Sequence, residues 1–296
     1  MAEQLIYVNG KFVPRDQACV SVFDHGFLYG DGVFEGIRAY NGRVFRLQDH
    51  IERFYDSAAA IGLDLGLSRE EMSDVVTESC AVNDLANAYI RLVASRGAGD
   101  LGLSPKSCKK PTIVCIAGQI ALYPQSLYDN GLEMVTASTT RNFVNSLNPR
   151  VKSLNYLNNI LAKIEASRAG SMEALMINDT GYVVECTGDN IFLWRHGRLI
   201  TPPAWMGALE GITRKTVLEL ARGMGFPVAE EPVSRFDVYS AEEMFLTGTA
   251  AELIPVVNVD ARKIGDGKPG PMFKKLLEAF RERTKETDGA AIRGQA

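Results

Sequence analysis

Lys152 heads the segment Lys152-Ser153-Leu154-Asn155-Tyr156, directly before an amphipathic run. A lysine amine is a nucleophile only when neutral, and its free pKa is ~10.4. Partial burial beside other cationic or polar groups removes that proton and lets the amine condense with a carbonyl as a Schiff base. Three later segments hold the other groups such chemistry needs: Glu185-Cys186-Thr187-Gly188-Asp189-Asn190, Gly211-Ile212-Thr213-Arg214 and Thr247-Gly248-Thr249-Ala250. Glu185 closes the run Tyr182-Val183-Val184 and enters a loop of small and polar residues, where a carboxylate can pair with a protonated ring nitrogen. Gly211-Ile212-Thr213 opens a helix, whose first N–H groups and dipole favour a phosphate. Gly248-Thr249-Ala250 follows the apolar strand Met244-Phe245-Leu246, and a turn there offers N–H groups to a phosphate or a carboxylate.

Taken singly, each feature is ordinary: a solvated lysine, a strand-end glutamate, a glycine turn before a threonine. Lys163 and Lys215 read as lysines on helix faces. The conjunction and order of the four segments are far more specific. An amine for a carbonyl, an acid for a pyridine nitrogen and donors for a phosphate are together what pyridoxal phosphate requires.

The elements that must position these groups follow from period and punctuation. Asn9-Gly10 joins Leu5-Ile6-Tyr7-Val8 to Lys11-Phe12-Val13, and Asn41-Gly42 joins Ile37-Arg38-Ala39-Tyr40 to Val44-Phe45-Arg46, as two-residue hairpins. A helix is expected over 47–61, with Ile51, Phe54, Tyr55 and Ala58 at helical spacing. Ser68 and Glu71 form a capping box for a second helix. Strands over 88–95 and 112–118 flank the glycine-rich loop 96–104. Residues 119–131 show no clear period and read as the interdomain connection. Beyond it, a strand over 132–137 precedes a helix carrying Tyr156, Ile160, Leu161 and Ile164 on one stripe and ending at Gly170. Strands over 174–177, 182–185, 191–194 and 198–200, helices over 211–224 and 271–283, and a loose polar tail after Thr284 complete the pattern. The expected organisation is a small α/β domain over 1–118, a connection over 119–131 and a larger cofactor domain over 132–296. The sheets should be largely antiparallel, an α/β chain of the α+β type.

Composition narrows the function classes. A net charge of −4 offers no basic face for nucleic acid. No apolar run approaches the roughly 20 residues of a membrane span, and no signal peptide is visible at the N-terminus. Five scattered cysteines without a C-x-x-C pair, and only three histidines, argue against a disulfide framework or a metal centre. A reducing cytoplasm is the simplest location.

Over most of its length, from about Tyr7 to Phe280, the chain resembles the fold-type IV pyridoxal-phosphate enzymes, and among them the branched-chain-amino-acid aminotransferases. The motif Tyr29-Gly30-Asp31-Gly32-Val33-Phe34-Glu35-Gly36-Ile37-Arg38, the triplet Tyr89-Ile90-Arg91 and the helix around Arg53 carry the likeness. The resemblance implies a two-domain, D-amino-acid-aminotransferase-like fold with the active site between the domains. It implies that Lys152 holds the cofactor and shuttles the proton, and that Glu185 binds the pyridine nitrogen, with Gly188 and Asn190 in place beside it. Arg53, Ile212, Thr213 and Thr249 would hold the phosphate, and Gly211 and Gly248 would be among the cofactor-binding residues. Tyr156 would lie near the phenolic oxygen, and Leu209 would pack on the ring. Tyr89, Thr249 and Ala250 would hold the substrate α-carboxylate. Phe34, Gly36 and Tyr156 would form apolar walls, and Arg91 and Tyr29 would meet the distal carboxylate of glutamate. Leu103 would come from the neighbouring subunit of a homodimer or a dimer-based hexamer. Cys186-Thr187 departs from the smaller residues usual after the glutamate. A D-amino-acid transaminase would want more cationic side chains in the 95–103 loop, which has one arginine and an aspartate. An aminodeoxychorismate lyase of the same fold would need the same lysine.

Overall fold

The computed structural model describes residues 3–119, 123–285 and 289–293. The chain divides into two compact units. One is Met1–Ala121 with Val151–Asn155 and Thr284–Ala296; the other is Leu122–Arg150 with Tyr156–Arg283.

In the first unit both hairpin turns form as their sequences dictate. Asn9 and Gly10 have φ of 49° and 90°, and Asn41 and Gly42 have 50° and 78°. Positive φ at both central residues is the combination that matches strand twist. Strand Gly32–Tyr40 lies between Arg43–Val44 and Ala88–Ser95, and the sheet continues through Thr112–Gly118, Leu5–Val8 and Lys11–Pro14. These pairings are all antiparallel. Alternation sends Val33, Ile37 and Ala39 to one face, with Ile90, Leu92 and Ala94 beside them. That face packs on Ile51, Phe54 and Ala58 of helix Leu47–Ala60 and on Met72 and Val76 of helix Arg69–Ala81. The second helix starts at the Ser68/Glu71 box, with both reciprocal bonds made. Phe34, Gly36 and Arg38 are left on the opposite face, where the register sets Gly36 against Arg91 and Arg38 against Tyr89.

Two expectations fail here. The second hairpin strand stops at Val44, because Arg46 adopts φ of 52° and starts the Leu47–Ala60 helix. The tail is not wholly loose: Ala290–Ala291 pairs with Arg43–Val44, and Ile292 is fully buried and donates its N–H to Gly42 O at 2.8 Å. A short apolar triplet in a polar tail suffices to cover the open edge of the sheet.

Among the described residues the second unit holds nine strands. Their order is Val228–Glu230, Arg198–Thr201, Asn190–Arg195, Glu243–Gly248, Glu252–Val259, Leu132–Thr136, Glu173–Ile177 and Val183–Cys186, with Arg262–Lys263 paired to Glu252–Val259. Three neighbouring pairs are parallel and the rest antiparallel. Parallel neighbours need a crossover, and helices Leu157–Arg168 and Ile212–Gly223 supply two of them.

Two further expectations need correction. The 119–131 connection contains helix Gln125–Asn130, whose Tyr128 is buried and donates its hydroxyl to Ala251 O at 3.0 Å; residues 120–122 lie outside the described residues. On helix Leu157–Arg168 the apolar stripe faces outward. Ile160, Leu161 and Ile164 are 50%, 46% and 40% exposed, while Asn159, Ala162 and Ala166 are buried. Period identifies a stripe but not its direction, and the alanine face lies closer to the sheet, against Ala174 and Met176.

Candidate active site

In the first unit Lys152 is not at the end of a free loop. Its segment lies along strand Gly32–Tyr40: Lys152 O accepts from Phe34 N at 3.0 Å, Leu154 N donates to Gly32 O at 2.9 Å, and Ser153 bridges Val33. Lys152 N donates to Ser57 Oγ at 3.1 Å. With the backbone fixed, Nζ lies 4.6 Å from the centroid of the Phe34 ring.

The guanidinium of Arg91 sits 4.6 Å from the same centroid, and its Nη2 donates to Tyr89 Oη at 3.0 Å. Among the described residues Arg91 Nε is buried and finds no hydrogen-bond acceptor, a donor that calls for one. Gly36 is required beside it, since a Cβ there would stand 2.4 Å from Tyr89 Oη. Tyr29 donates its hydroxyl to Leu101 O, and His25 Nε2 donates to Asp100 O at 2.8 Å. These bonds tie the 99–103 loop to helix His25–Tyr29 and leave Leu103 80% exposed.

Arg53 is less simple than its expected role. Alternation puts Glu35 on the core face of its strand, where an unpaired carboxylate would be very costly. Arg53 answers it in fork geometry, Nε to Oε1 at 2.7 Å and Nη2 to Oε2 at 2.8 Å, and His50 Nδ1 reaches Oε2 at 2.8 Å. Glu35 is fully buried. Burial opposes its charged form, but Arg53 and the His50 hydrogen bond outweigh burial and hold the carboxyl well below its ordinary value. Burial pulls His50 down as well, against the raising effect of Glu35.

Both groups have folded-state values below their unfolded ones. Their contribution is therefore complete above the unfolded values, ~6.5 and ~4.3, and is lost as pH falls through the folded values. Urea midpoints should fall on acidification from pH 7, and His50→Gln should remove the part lost between pH 7 and 5. An unchanged acid slope in that variant would show that His50 is not the group responsible.

In the second unit Glu185 is held from several sides. Oε1 accepts from Arg141 Nε at 2.9 Å and Nη2 at 2.7 Å; Oε2 accepts from Leu209 N at 2.9 Å and, more distantly, from Asn190 Nδ2 at 3.4 Å. Asn190 also donates to Leu209 O at 2.9 Å. A Cβ on Gly211 would come within 2.1 Å of Asn190 Oδ1, and one on Gly248 within 1.8 Å of Asp189 Oδ1, whereas Gly188 faces open space. Helix Ile212–Gly223 begins at Gly211 without a side-chain cap, with Ile212 and Thr213 buried at its first turn. Its leading N–H groups have no intrahelical acceptor. Among the described residues Thr247 Oγ1, next to Gly248 and Thr249, is buried and finds no partner.

The Cys186-Thr187 departure is absorbed by the packing. Cys186 is buried, and burial pushes its thiol well above the ordinary value. Thr187 donates its hydroxyl to Glu173, a buried acid that burial raises toward the neutral form.

The first unit thus gathers Lys152, Phe34, Gly36, Tyr89 and Arg91, and the second gathers Glu185, Asn190, Leu209 and Gly211. Sequence reading missed Glu35, His50, Arg141 and Glu173, whose partners lie far away along the chain. The residues present fit pyridoxal phosphate: an amine in the first unit, and in the second a buried carboxylate, an uncapped helix start and the buried Thr247 hydroxyl.

Residues 32–259 match the family profile of the class IV amino-transferases. A Methanocaldococcus jannaschii protein, provisionally named a branched-chain-amino-acid aminotransferase, is 55% identical over 281 residues, 95% of this chain and 96% of its own. The branched-chain-amino-acid aminotransferase of Pseudomonas aeruginosa is 38% identical, over 93% of this chain and 91% of its own. The crystal structure of a T.th. branched-chain amino acid aminotransferase complexed with N-(5'-phosphopyridoxyl)-L-glutamate is also similar. It superposes with a TM-score of 0.91 at 36% identity and covers 97% of this chain and 96% of that one. The chain belongs to the class IV aminotransferases, two-domain enzymes of fold type IV. Within that family it is a transaminase of the branched-chain-amino-acid kind, and pyridoxal 5'-phosphate is its cofactor. Among the described residues no helix is long and apolar enough to cross a membrane.

Proposed function

We propose that the chain moves the amino group of L-leucine, L-isoleucine or L-valine to 2-oxoglutarate, giving branched 2-oxo acids and L-glutamate in a ping-pong cycle. The observation that carries this is the Phe34 ring, with the Lys152 amine and the Arg91 guanidinium each 4.6 Å from its centroid. A nucleophile, an apolar wall and a cation suited to a distal carboxylate share one sheet face. A similar enzyme bound to a phosphopyridoxyl-glutamate adduct supports glutamate as one substrate.

When bound, pyridoxal phosphate supplies a carbonyl and an electron-accepting ring. Lys152 holds the carbonyl end, and its Nζ moves the proton at the substrate Cα. Glu185 accepts from the ring nitrogen. Arg53, Ile212, Thr213 and Thr249 hold the phosphate, the middle two through backbone N–H groups. Tyr156 serves the phenolic oxygen, and Leu209 packs on the ring. Tyr89 and the Thr249-Ala250 backbone hold the α-carboxylate, while Arg91 and Tyr29 take the distal one. The proposal extends to a homo-oligomer in which the exposed Leu103 closes the neighbour's site, and to a cytoplasmic location.

A donor panel of both enantiomers with 2-oxoglutarate tests the reading, and L-leucine, L-isoleucine and L-valine should lead it. In the same assay Arg91→Ala should raise KM for glutamate and 2-oxoglutarate by ~10-fold or more, the worth of a hydrogen bond to a charged group. KM for leucine should change less, since leucine meets Arg91 only indirectly, through its packing on Phe34 and its hydrogen bond to Tyr89. Equal losses for both substrate types would remove the assigned selectivity.

A further inference from the structure

We propose that Arg141 is a positioning residue for this reaction: it fixes which oxygen of Glu185 faces the cofactor ring and supplies the buried counter-charge. The inference rests on the assignment of Glu185 to the ring nitrogen. A carboxylate offers four lone-pair directions. Arg141 fills both at Oε1, through Nε and Nη2, and Leu209 N fills one at Oε2. Asn190 Nδ2 donates to Leu209 O at 2.9 Å and, with its second N–H, reaches Oε2 only at the long distance of 3.4 Å. The weakest-held direction is therefore on Oε2, and a ring N–H is the donor that would take it from Asn190.

Arg141 is itself immobilised. Its Nη1 donates to Asn158 Oδ1 at 3.1 Å and Asn159 Oδ1 at 3.0 Å, and its backbone N–H donates to Ile177 O. Asn158 is anchored to Thr140 O and Asn159 to Thr187 O. Arg141 and Glu185 are each 5% exposed, so water can replace little of this grip. A lysine would keep the charge but lose the planar two-nitrogen hold.

The test compares the holoenzyme with Arg141→Met, Arg141→Lys and Glu185→Gln, each reconstituted with pyridoxal phosphate labelled with ¹⁵N in the ring. The ring-nitrogen resonance is followed against pH, together with kcat and KM for leucine. Arg141→Met should move the resonance to the unprotonated position near neutral pH. It should lower kcat by about 10²-fold, the scale of a misplaced catalytic contact, with KM within about threefold. Arg141→Lys should fall between Arg141→Met and wild type in both readouts. A folded Arg141→Met holoenzyme with the wild-type resonance overturns the inference, as does an Arg141→Lys variant indistinguishable from wild type. If Arg141→Met does not fold, Arg141→Lys decides alone. If Glu185→Gln keeps the wild-type resonance, the assignment of Glu185 fails first. If Glu185→Gln shifts it and the Arg141 variants do not, only the role of Arg141 fails.

Discussion

Lys152→Ala should lose transamination by at least ~10³-fold in kcat, toward the upper range for removing a positioned proton carrier, with the covalent step lost as well. The fold should survive. The bonds that seat this segment come from its backbone: Lys152 O to Phe34 N, Lys152 N to Ser57 Oγ and Leu154 N to Gly32 O. Alanine keeps all three. Borohydride should attach the cofactor to the wild-type chain at Lys152 and leave the variant unlabelled, with unchanged circular dichroism. A variant that turns over at the normal rate would sink the assignment of the amine.

Glu35→Ala should cost stability on the scale of a broken buried ion pair, about 3–5 kcal/mol. The carboxylate is fully buried and answers two donors of Arg53 and one of His50. Removing it strands a guanidinium that is largely buried and opens a gap against helix Leu47–Ala60. Urea unfolding should show the loss as a lower midpoint. Cofactor retention in dialysis should weaken too, because Arg53 loses the contact that orients it. A change below about 1 kcal/mol would place Glu35 among ordinary surface acids, contrary to its burial. Glu35→Gln, which keeps the shape but not the charge, should recover part of the stability.

The chemistry of this chain was more legible than its packing. Lys152, Glu185 and the Gly211-Ile212-Thr213 helix start stand out because each is a local pattern with a physical reason. Phe34, Gly36, Tyr89 and Arg91 are legible only through the family likeness; the register that sets 32–40 against 88–95, and by alternation puts them on one face, is a finding of the structure. Glu35 interrupts that alternation on its buried side, which is the one sign of its pairing, but nothing local names Arg53 as the partner. Arg141 gives no sign at all. It sits in a polar loop and meets a carboxylate 44 residues away. The outward stripe of helix Leu157–Arg168 misleads because a period of 3.6 does not say which side is inside. There the small side chains of Ala162 and Ala166 decide it.

The Ala290–Ala291 strand and buried Ile292 have a consequence for biosynthesis. They complete the edge of a sheet whose other strands all precede residue 119, and the Lys152 segment joins that same sheet from mid-chain. A ribosome releases the chain from its N-terminal end at roughly 5–20 residues per second. The first unit therefore emerges early but waits for residues 290–292 before the Ile292 side chain and the carbonyl of Gly42 are covered. A nascent chain stalled anywhere before residue 290 should show a protease-sensitive edge at Arg43–Val44, and extension past Ile292 should seal it.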